Sequence, residues 1–469
     1  MTEFHQRIRI ALSNQQGRKN FRSAMEGFMA KRAAQFPDPQ QLASLRVSGD
    51  AIRSNALKSL PELLVRLEQS LEANGIQVHW AETPDQANRQ VETILKHHNA
   101  KRVVKGKSMV TEEIELNHHL EKQGFEVLES DLGEFIIQLA GETPSHIVVP
   151  AVHKNRQEIA SLLHKHFPEI PFTEDVDELT QNARRILRNK FEQADAGISG
   201  VNFAIAETGT LCLVENEGNG RMCTTVPPLH IAVTGIEKVV EKLSDIPPLL
   251  SLLPRSATGQ PITTYFNMIS APRKSGELDG PTEVHLILLD NGRSQIHMDE
   301  ELTDTLQCIR CGACINHCPV YVQVGGHAYG TTYPGPIGSV LEPQRLGIDK
   351  AGSLASACTL CGACGEVCPV QIPLPKLINQ IRAESVTLKK SQRIKGGGSL
   401  RNIAESLVWQ FWKLLHRHAS LYHFYTYILS RFRFMTPKSI GVWSRYRTIP
   451  IPSPKTLHEL ARREGYENE

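Results

Sequence analysis

The sequence has no uninterrupted apolar run of about 18 residues, the length a membrane-spanning helix needs. Its opening stretch, MTEFHQRIRIALSNQQ, lacks the apolar core and small-residue cleavage site of a secretory signal, so a cytoplasmic protein is expected. Neither a G-x-G-x-x-G fingerprint nor the G-x4-G-K spacing of a phosphate loop is present, and a nucleotide cofactor finds no support. Glycine and proline number only 33 and 27 among 469 residues, which excludes a collagen-like chain and a low-complexity one. With 40% hydrophobic and 22% charged residues, the chain can bury a sizeable core and divide into several domains.

The net charge is also small, +2, but it is unevenly placed. Residues 1–381 carry 36 basic and 44 acidic side chains, and residues 382–469 carry 16 and 6. A basic tail on an acidic body suits a solvated end, an acidic protein partner or a membrane surface. The last 69 residues hold 12 of the 28 aromatics, including Trp409, Trp412 and Trp443. Residues 404–434 read as an amphipathic helix pair that packs, docks on a partner or touches a membrane peripherally. No nucleic-acid-binding module frames the basic residues, and no nucleic acid is expected as a partner.

What the sequence does have is cysteine in a repeat. Eight of its ten cysteines fall within 61 residues, and two copies of one motif stand 50 residues apart. The first is Cys308-Ile-Arg-Cys311-Gly312-Ala313-Cys314-Ile-Asn-His317-Cys318-Pro319, the second Cys358-Thr-Leu-Cys361-Gly362-Ala363-Cys364-Gly-Glu-Val-Cys368-Pro369. Each is C-x2-C-x2-C-x3-C-P, the spacing that lets a short loop curl around three corners of a 4Fe–4S cube while the fourth cysteine points away. Four-cysteine zinc sites use two C-x2-C pairs instead. In two-cluster ferredoxins the fourth cysteine serves the other cluster. That rule assigns Cys308, Cys311, Cys314 and Cys368 to one cluster, and Cys358, Cys361, Cys364 and Cys318 to a second.

The rest of the chain is read by its periodicity. Residues 1 to about 60 look helical and polar, and a leucine-rich helix from Ser59 ends at Asn74-Gly75. Strands are expected at 76–81, 102–106, 125–130 and 146–152, and helices at 84–98, 110–123 and 154–166. Further on, a hairpin over 201–218 turns at Thr208-Gly209, with strands at 229–235, 261–270 and 283–292. This alternation points to one α/β domain with a mixed sheet. The expected division is a helical segment 1–64, the α/β domain 65–292, an α-helical ferredoxin-like domain 293–395 and a helical tail 396–469 joined through GGGS at 396–399.

Several residues stand out besides the cysteines. Seven glycines and prolines in 325–338 predict an irregular insert, in which His327, Tyr329 and Tyr333 pack, tune a cluster or dock a partner. Glu207, Glu215 and Glu217 flank the hairpin and mark a ligand site or a plain turn. Lys105-Gly106-Lys107-Ser108, between a strand and a helix, is a candidate anion loop. Cys212 and Cys223 read as buried thiols, and His97-His98 and His118-His119 as surface histidines too divergent to chelate in pairs.

An α/β domain with Glu207-Thr208-Gly209-Thr210, paired cluster motifs and a basic aromatic tail resembles the lactate utilisation iron–sulfur protein B family, whose α/β part is the LUD domain. The resemblance covers nearly the whole chain and supplies no catalytic residue, so the catalytic residues stay unknown. It implies a non-autonomous subunit of an NAD- and flavin-independent L-lactate dehydrogenase complex with two 4Fe–4S clusters. Its companions would be a cysteine-rich subunit and a second LUD-domain subunit, and the basic tail would place the chain in the cytoplasm or at the inner face of the membrane. Electrons from lactate would reach a respiratory acceptor. The competing readings are an electron-transfer subunit for another 2-hydroxy acid such as glycolate, and a metabolite-binding iron–sulfur regulator.

Overall fold

The computed structural model describes residues 3–394, 400–437, 439 and 448–466. It forms two compact units, Met1–Thr387 and Leu388–Glu469. The first unit opens with helices α1 (Glu3–Ser13), α2 (Gln15–Gln35), α3 (Pro39–Lys58) and α4 (Leu60–Ala73). Asp38 caps α3 by accepting the Gln40 N–H, with Pro39 in the first turn where no donor is missed. In α4, Leu60, Leu63, Leu64, Leu67 and Leu71 form the buried stripe.

Ten strands follow: β1 (Gln77–Ala81), β2 (Arg102–Lys105), β3 (Glu126–Glu129), β4 (Ala196–Ser199), β5 (Phe203–Ile205), β6 (Thr210–Glu215), β7 (Leu229–Gly235), β8 (Val239–Val240), β9 (Tyr265–Ile269) and β10 (Glu283–Leu289). They make the α/β domain expected, its strands divided between two sheets. One is six-stranded and wholly parallel in the order β1-β10-β7-β4-β2-β3. The other is four-stranded and mixed, in the order β8-β5-β6-β9. Strands β4 and β7 are buried at every position, as befits a parallel sheet covered on both faces.

Some expected elements differ, each for a local reason. Residues 146–152 are turns and not a strand, because His146 Nδ1 accepts the N–H groups of Val148 and Val149 and Ser145 N–H bonds Pro150 O. The helix expected at 110–123 is two, Met109–Glu113 and Leu116–Lys122. Between them Glu115 lies at φ 52°, and the Ile114 carbonyl is taken by Asn88 Nδ2 at 2.8 Å. The insert 325–338 is irregular only to Pro334, since a helix runs from Gly335 to Leu346 with Pro336 in its first turn. Helices Leu132–Ala140, Val176–Glu192 and Ile246–Ala257 fill stretches that the sequence reading left unassigned.

One apolar core passes from Phe4, Phe21 and Met25 through Leu67, Phe203, Leu211 and Leu249 to Ile315, Val340 and Ile378. The N-terminal helices, the second sheet and the cysteine-rich segment therefore fold around shared contacts. Arg53 of α3 is buried within them and donates to the carbonyls of Glu237, Val239, Leu306 and Gln307. The second unit contains helices Leu400–Arg417, Ala419–Arg431 and Leu457–Arg463, the first two matching the expected pair. Trp409, Trp412, Phe424 and Phe434 are exposed on it. The GGGS joint at 396–399 and Trp443 lie outside the described residues.

The hairpin at 207–210 proves to be a docking turn. Gly209 sits at φ +61°, and a Cβ there would meet the Ser70 carbonyl carbon at 2.5 Å. Ser70 Oγ donates to Ala206 O, and Asn74 Nδ2 to the carbonyls of Thr208 and Gly209. Gly209→Ala is expected to cost about 2 kcal/mol or more from strain and backbone clash, read as a lowered denaturant midpoint. In the parallel sheet, burial holds His230 neutral, down to about 4 from 6.5. The unfolded chain takes up a proton below pH 6.5 that the folded chain refuses, so stability is full above 6.5 and falls as pH drops toward 4. His230→Gln is expected to flatten that fall by up to about 1.4 kcal/mol per pH unit, measured by unfolding between pH 7.5 and 5 (about the range in which the histidine ionises when unfolded).

Candidate metal centre

The two cysteine motifs repeat in backbone as well as in sequence. A short 3-10 turn leads into each, Thr303–Gln307 before Cys308 and Gly352–Ala357 before Cys358. Arg310 and Leu360, equivalent in the repeat, both adopt left-handed φ of 61° and 56°, as do Gly312 and Gly362 at 76° and 85°. These turns aim the N–H of Arg310 at Cys308 Sγ (3.4 Å) and that of Leu360 at Cys358 Sγ (3.3 Å). Left-handed backbone at an arginine and a leucine costs about 1 kcal/mol each, which the thiolate-directed geometry accounts for. Helices Ala313–Asn316 and Ala363–Val367 then carry the third cysteine of each motif. Pro319 starts the next helix after Cys318, and Ile372 N–H points to Cys368 Sγ at 3.4 Å.

Across space, cysteines of the two motifs are neighbours. Burial raises Cys311, and Cys368 and Cys308 raise it further. Cys314 is raised by burial and then by Cys308, Cys311 and Cys368, with Cys364 the smallest contributor. Burial pushes Cys364 up to about 12, reinforced by Cys358, Cys318 and Cys361. Cys318 is raised by burial with Cys358 and Cys361 beside it. Four desolvated thiols that resist ionisation in one another's presence fit a multivalent cationic centre, whose charge draws them to thiolates. None of the ten cysteines is in a disulfide. The cysteines differ in exposure: Cys311, Cys314, Cys364 and Cys368 are buried, whereas Cys361 is exposed and Leu360 beside it is 43% exposed.

Behind the first motif lies a buried ion network. Arg293 is 2% exposed and spans two carboxylates, Glu113 at 2.9 Å and Glu237 at 2.5 Å. Arg310 reaches Glu237 at 3.3 Å and lies over the Tyr333 ring, 4.6 Å from its centroid. Tyr333 Oη donates to Glu113 Oε2 at 2.9 Å. Burial alone would raise Glu237, but Arg293, Lys238 and Arg310 hold it at about 2. Glu113 comes from the α/β part and Tyr333 from the insert, so the network joins the two across 220 residues of sequence.

The turn at 145–150 makes the same junction. His146 Nε2 meets Asn316 Oδ1 at 3.0 Å, and Tyr321 Oη donates to Ser145 O at 2.7 Å. Burial drives His146 down to about 3, so it stays neutral. Of the other residues singled out by sequence, Tyr329 packs by Phe4 and Tyr321, and His327 bonds Thr143 O. Glu207 accepts Leu243 N–H and Glu215 the N–H groups of Gly220 and Arg221, so both carboxylates brace the hairpin. Lys105 is buried on Glu129 (2.7 Å) and Glu112 (3.1 Å), which withdraws it from any anion. Cys212 and Cys223 are buried, both raised to about 12 by burial. His119 pairs with Glu92 at 2.8 Å, and His98 with Glu283 at 3.4 Å. The network of Arg293, Glu113 and Glu237 escaped the sequence reading, because nothing local marks a pair so far apart.

Comparison with known proteins assigns these parts. Residues 64–289 match the LUD domain, 304–372 the 4Fe-4S dicluster domain, and 380–466 the C-terminal domain of lactate utilisation protein B. Lactate utilization protein B of Bacillus subtilis (strain 168) is 43% identical over 384 residues, 82% of this chain and 80% of its own. The chain belongs to the lactate utilisation protein B family. Another member, from Anoxybacillus flavithermus, is 38% identical over 99% of this chain and 98% of its own. The "Uncharacterized electron transport protein YkgF" of Escherichia coli K12 is 43% identical over 84% of this chain and 83% of its own. As in the family's LUD and dicluster matches, the cysteine-rich segment binds iron–sulfur clusters, and it shares one compact unit with the LUD domain.

Arg293→Met leaves two buried carboxylates without their cation and is expected to cost about 3–5 kcal/mol. The measurement is equilibrium unfolding of the purified chain. A loss under about 1 kcal/mol, the range of an exposed pair, would show the network to be dispensable.

Proposed function

We propose that this chain is the iron–sulfur electron-transfer subunit of a complex that oxidises L-lactate to pyruvate. The observation that carries the reading is that cysteines of both motifs neighbour one another inside the unit that holds the LUD domain. The names of its relatives, lactate utilization protein B and an electron transport protein, support both halves of it. Two 4Fe–4S clusters are assigned, one on Cys308, Cys311, Cys314 and Cys368, the other on Cys358, Cys361, Cys364 and Cys318. Each supplies reversible one-electron transfer when bound.

The protein's own groups set the conditions for that transfer. Crossed ligands hold the two sites close, as one-electron hopping requires. The N–H groups of Arg310, Leu360 and Ile372 stabilise charge on the sulfurs they face. Burial keeps water from Cys311 and Cys314, while the exposed Cys361 and Leu360 offer the second site to a partner. Lactate oxidation releases two electrons and two protons, matched by two one-electron sites. A cysteine-rich subunit and a second LUD-domain subunit complete the complex, and a respiratory acceptor receives the electrons. The basic second unit, with Trp409, Trp412 and Phe424 exposed, suits docking on those partners or on the inner face of the membrane. Among the described residues no helix is long and apolar enough to cross a membrane.

The test is anaerobic EPR of the chain purified with its native companions. L-lactate is expected to elicit signals of two interacting reduced clusters, and glycolate none. Cys361→Ala is expected to lose about half of the iron and to abolish lactate-dependent reduction of the acceptor. Clusters that dithionite reduces but L-lactate does not, with companions present, would overturn the lactate assignment. Equal reduction by glycolate would transfer it to a wider class of 2-hydroxy acids.

A further inference from the structure

The topology of the parallel sheet singles out one place. The chain leaves β2 toward β3 on one side and leaves β4 toward β7 on the other, although β2 and β4 are neighbours. Their carboxyl ends thus flank a reversal of winding, the crevice in which open α/β sheets bind ligands. A cavity of about 330 Å³ opens there, within the size range of small-molecule sites. Lys107 and Ser108 enter it from the end of β2, Ser199 from β4, and Lys238 from just beyond β7. The cysteine-rich segment closes it with Arg310 and Tyr333.

The cations in this cavity are only partly satisfied. Arg310 is nine-tenths buried, and its Nη1 has no hydrogen-bond partner among the described residues, although the guanidinium also reaches Glu237. Lys238 is 5% exposed and its Nζ donates to the Cys308 carbonyl at 3.2 Å, leaving further N–H donors. Lys107 donates to Val148 O. Carboxylates stand in the lining as well: Glu217 accepts Leu132 N–H at 3.2 Å, and Asp131 accepts Glu134 N–H at 3.1 Å. The cavity is therefore polar, with cations from both the α/β part and the cysteine motif and carboxylate acceptors in its α/β wall. A leftover buried donor of a charged group is costly to keep unless a ligand meets it.

We infer that this cavity binds a small 2-hydroxy or 2-oxo carboxylate, its carboxylate held by Lys238 and Arg310. The inference rests on the lactate reading and adds to it that the substrate or product is held in this chain. The same two residues adjoin the first cysteine of the repeat: Lys238 Nζ donates to the Cys308 carbonyl, and the backbone N–H of Arg310 points to Cys308 Sγ. A ligand there lies against the cluster on the buried side, opposite in exposure to Cys361. Lys238 and Arg310 are binding residues in this account, and no electron or proton step is assigned to them.

The experiment is anaerobic isothermal titration calorimetry of the cluster-loaded full chain with pyruvate and with L-lactate, using acetate and inorganic phosphate as controls. Pyruvate and L-lactate are expected to bind and the controls to bind at least about tenfold more weakly, the worth of one lost charged hydrogen bond. Lys238→Met is expected to weaken pyruvate binding by about tenfold or more at unchanged iron content. Lys107→Gln, half-exposed at the cavity wall, is expected to weaken it less and serves if the buried substitution unfolds the chain. No binding by the wild-type chain, equal binding of phosphate, or unchanged affinity in both variants would overturn the inference. Lactate-reduced clusters in the complex without pyruvate binding by this chain would sink the site and spare the electron-transfer reading. Pyruvate binding that depends on Lys238, with clusters inert to lactate, would do the reverse.

Discussion

Arg293, clasped between Glu113 and Glu237, is the constraint on which the arrangement of the first unit depends. Its two carboxylates come from a helix after β2 and from the turn after β7, so it spans the top of the parallel sheet. Because Glu237 also takes Arg310 and Glu113 also takes Tyr333, one charge cluster fixes the cysteine motif against the LUD domain. Burying these ions is expensive, and each is tolerable only while its partners are present. The same region receives Arg53, whose bonds to four carbonyls bring in the N-terminal helices. Position of the cluster loops relative to the sheet is thus set by directional polar contacts, with apolar packing filling in around them.

The cysteine motif and the sheet were legible in the sequence to different degrees. Cluster loops are written in consecutive residues: in each copy the four cysteines and the glycine, Gly312 or Gly362, lie within a dozen positions, and the backbone follows them. Helix α4 was equally plain, since its leucines repeat at helical spacing before Asn74-Gly75. Residues 146–152 read as a strand because Ile147, Val148 and Val149 favour one, yet His146 folds them back through its ring nitrogen. A side-chain acceptor that competes with the sheet for N–H groups leaves no trace in periodicity.

The division into sheets was hidden for another reason. Strands β5, β6, β8 and β9 have the same apolar character as those of the parallel sheet, and only their pairing separates them. The cavity at the ends of β2 and β4 was half visible. Lys107 and Ser108 were noticed as an anion loop, but Lys238, Arg310 and Tyr333 join them from 130 to 226 residues further on. The neighbouring Lys105, which the sequence places in the same loop, points instead into a nest of glutamates.

The shared core bears on how such a chain can change over generations. A ferredoxin is ordinarily the kind of segment that recombination can lift from one gene and graft into another, because it carries its own interior. In this protein Ile315, Val340 and Ile378 belong to the same interior as Phe4, Met25 and Phe203. A graft of residues 300–387 alone would arrive without its walls and leave Arg53 facing vacated carbonyl positions. The LUD domain and the cluster-binding segment of this family are thereby committed to one another, and are expected to diversify by substitution in place, with tolerance for exchange confined to the separate second unit.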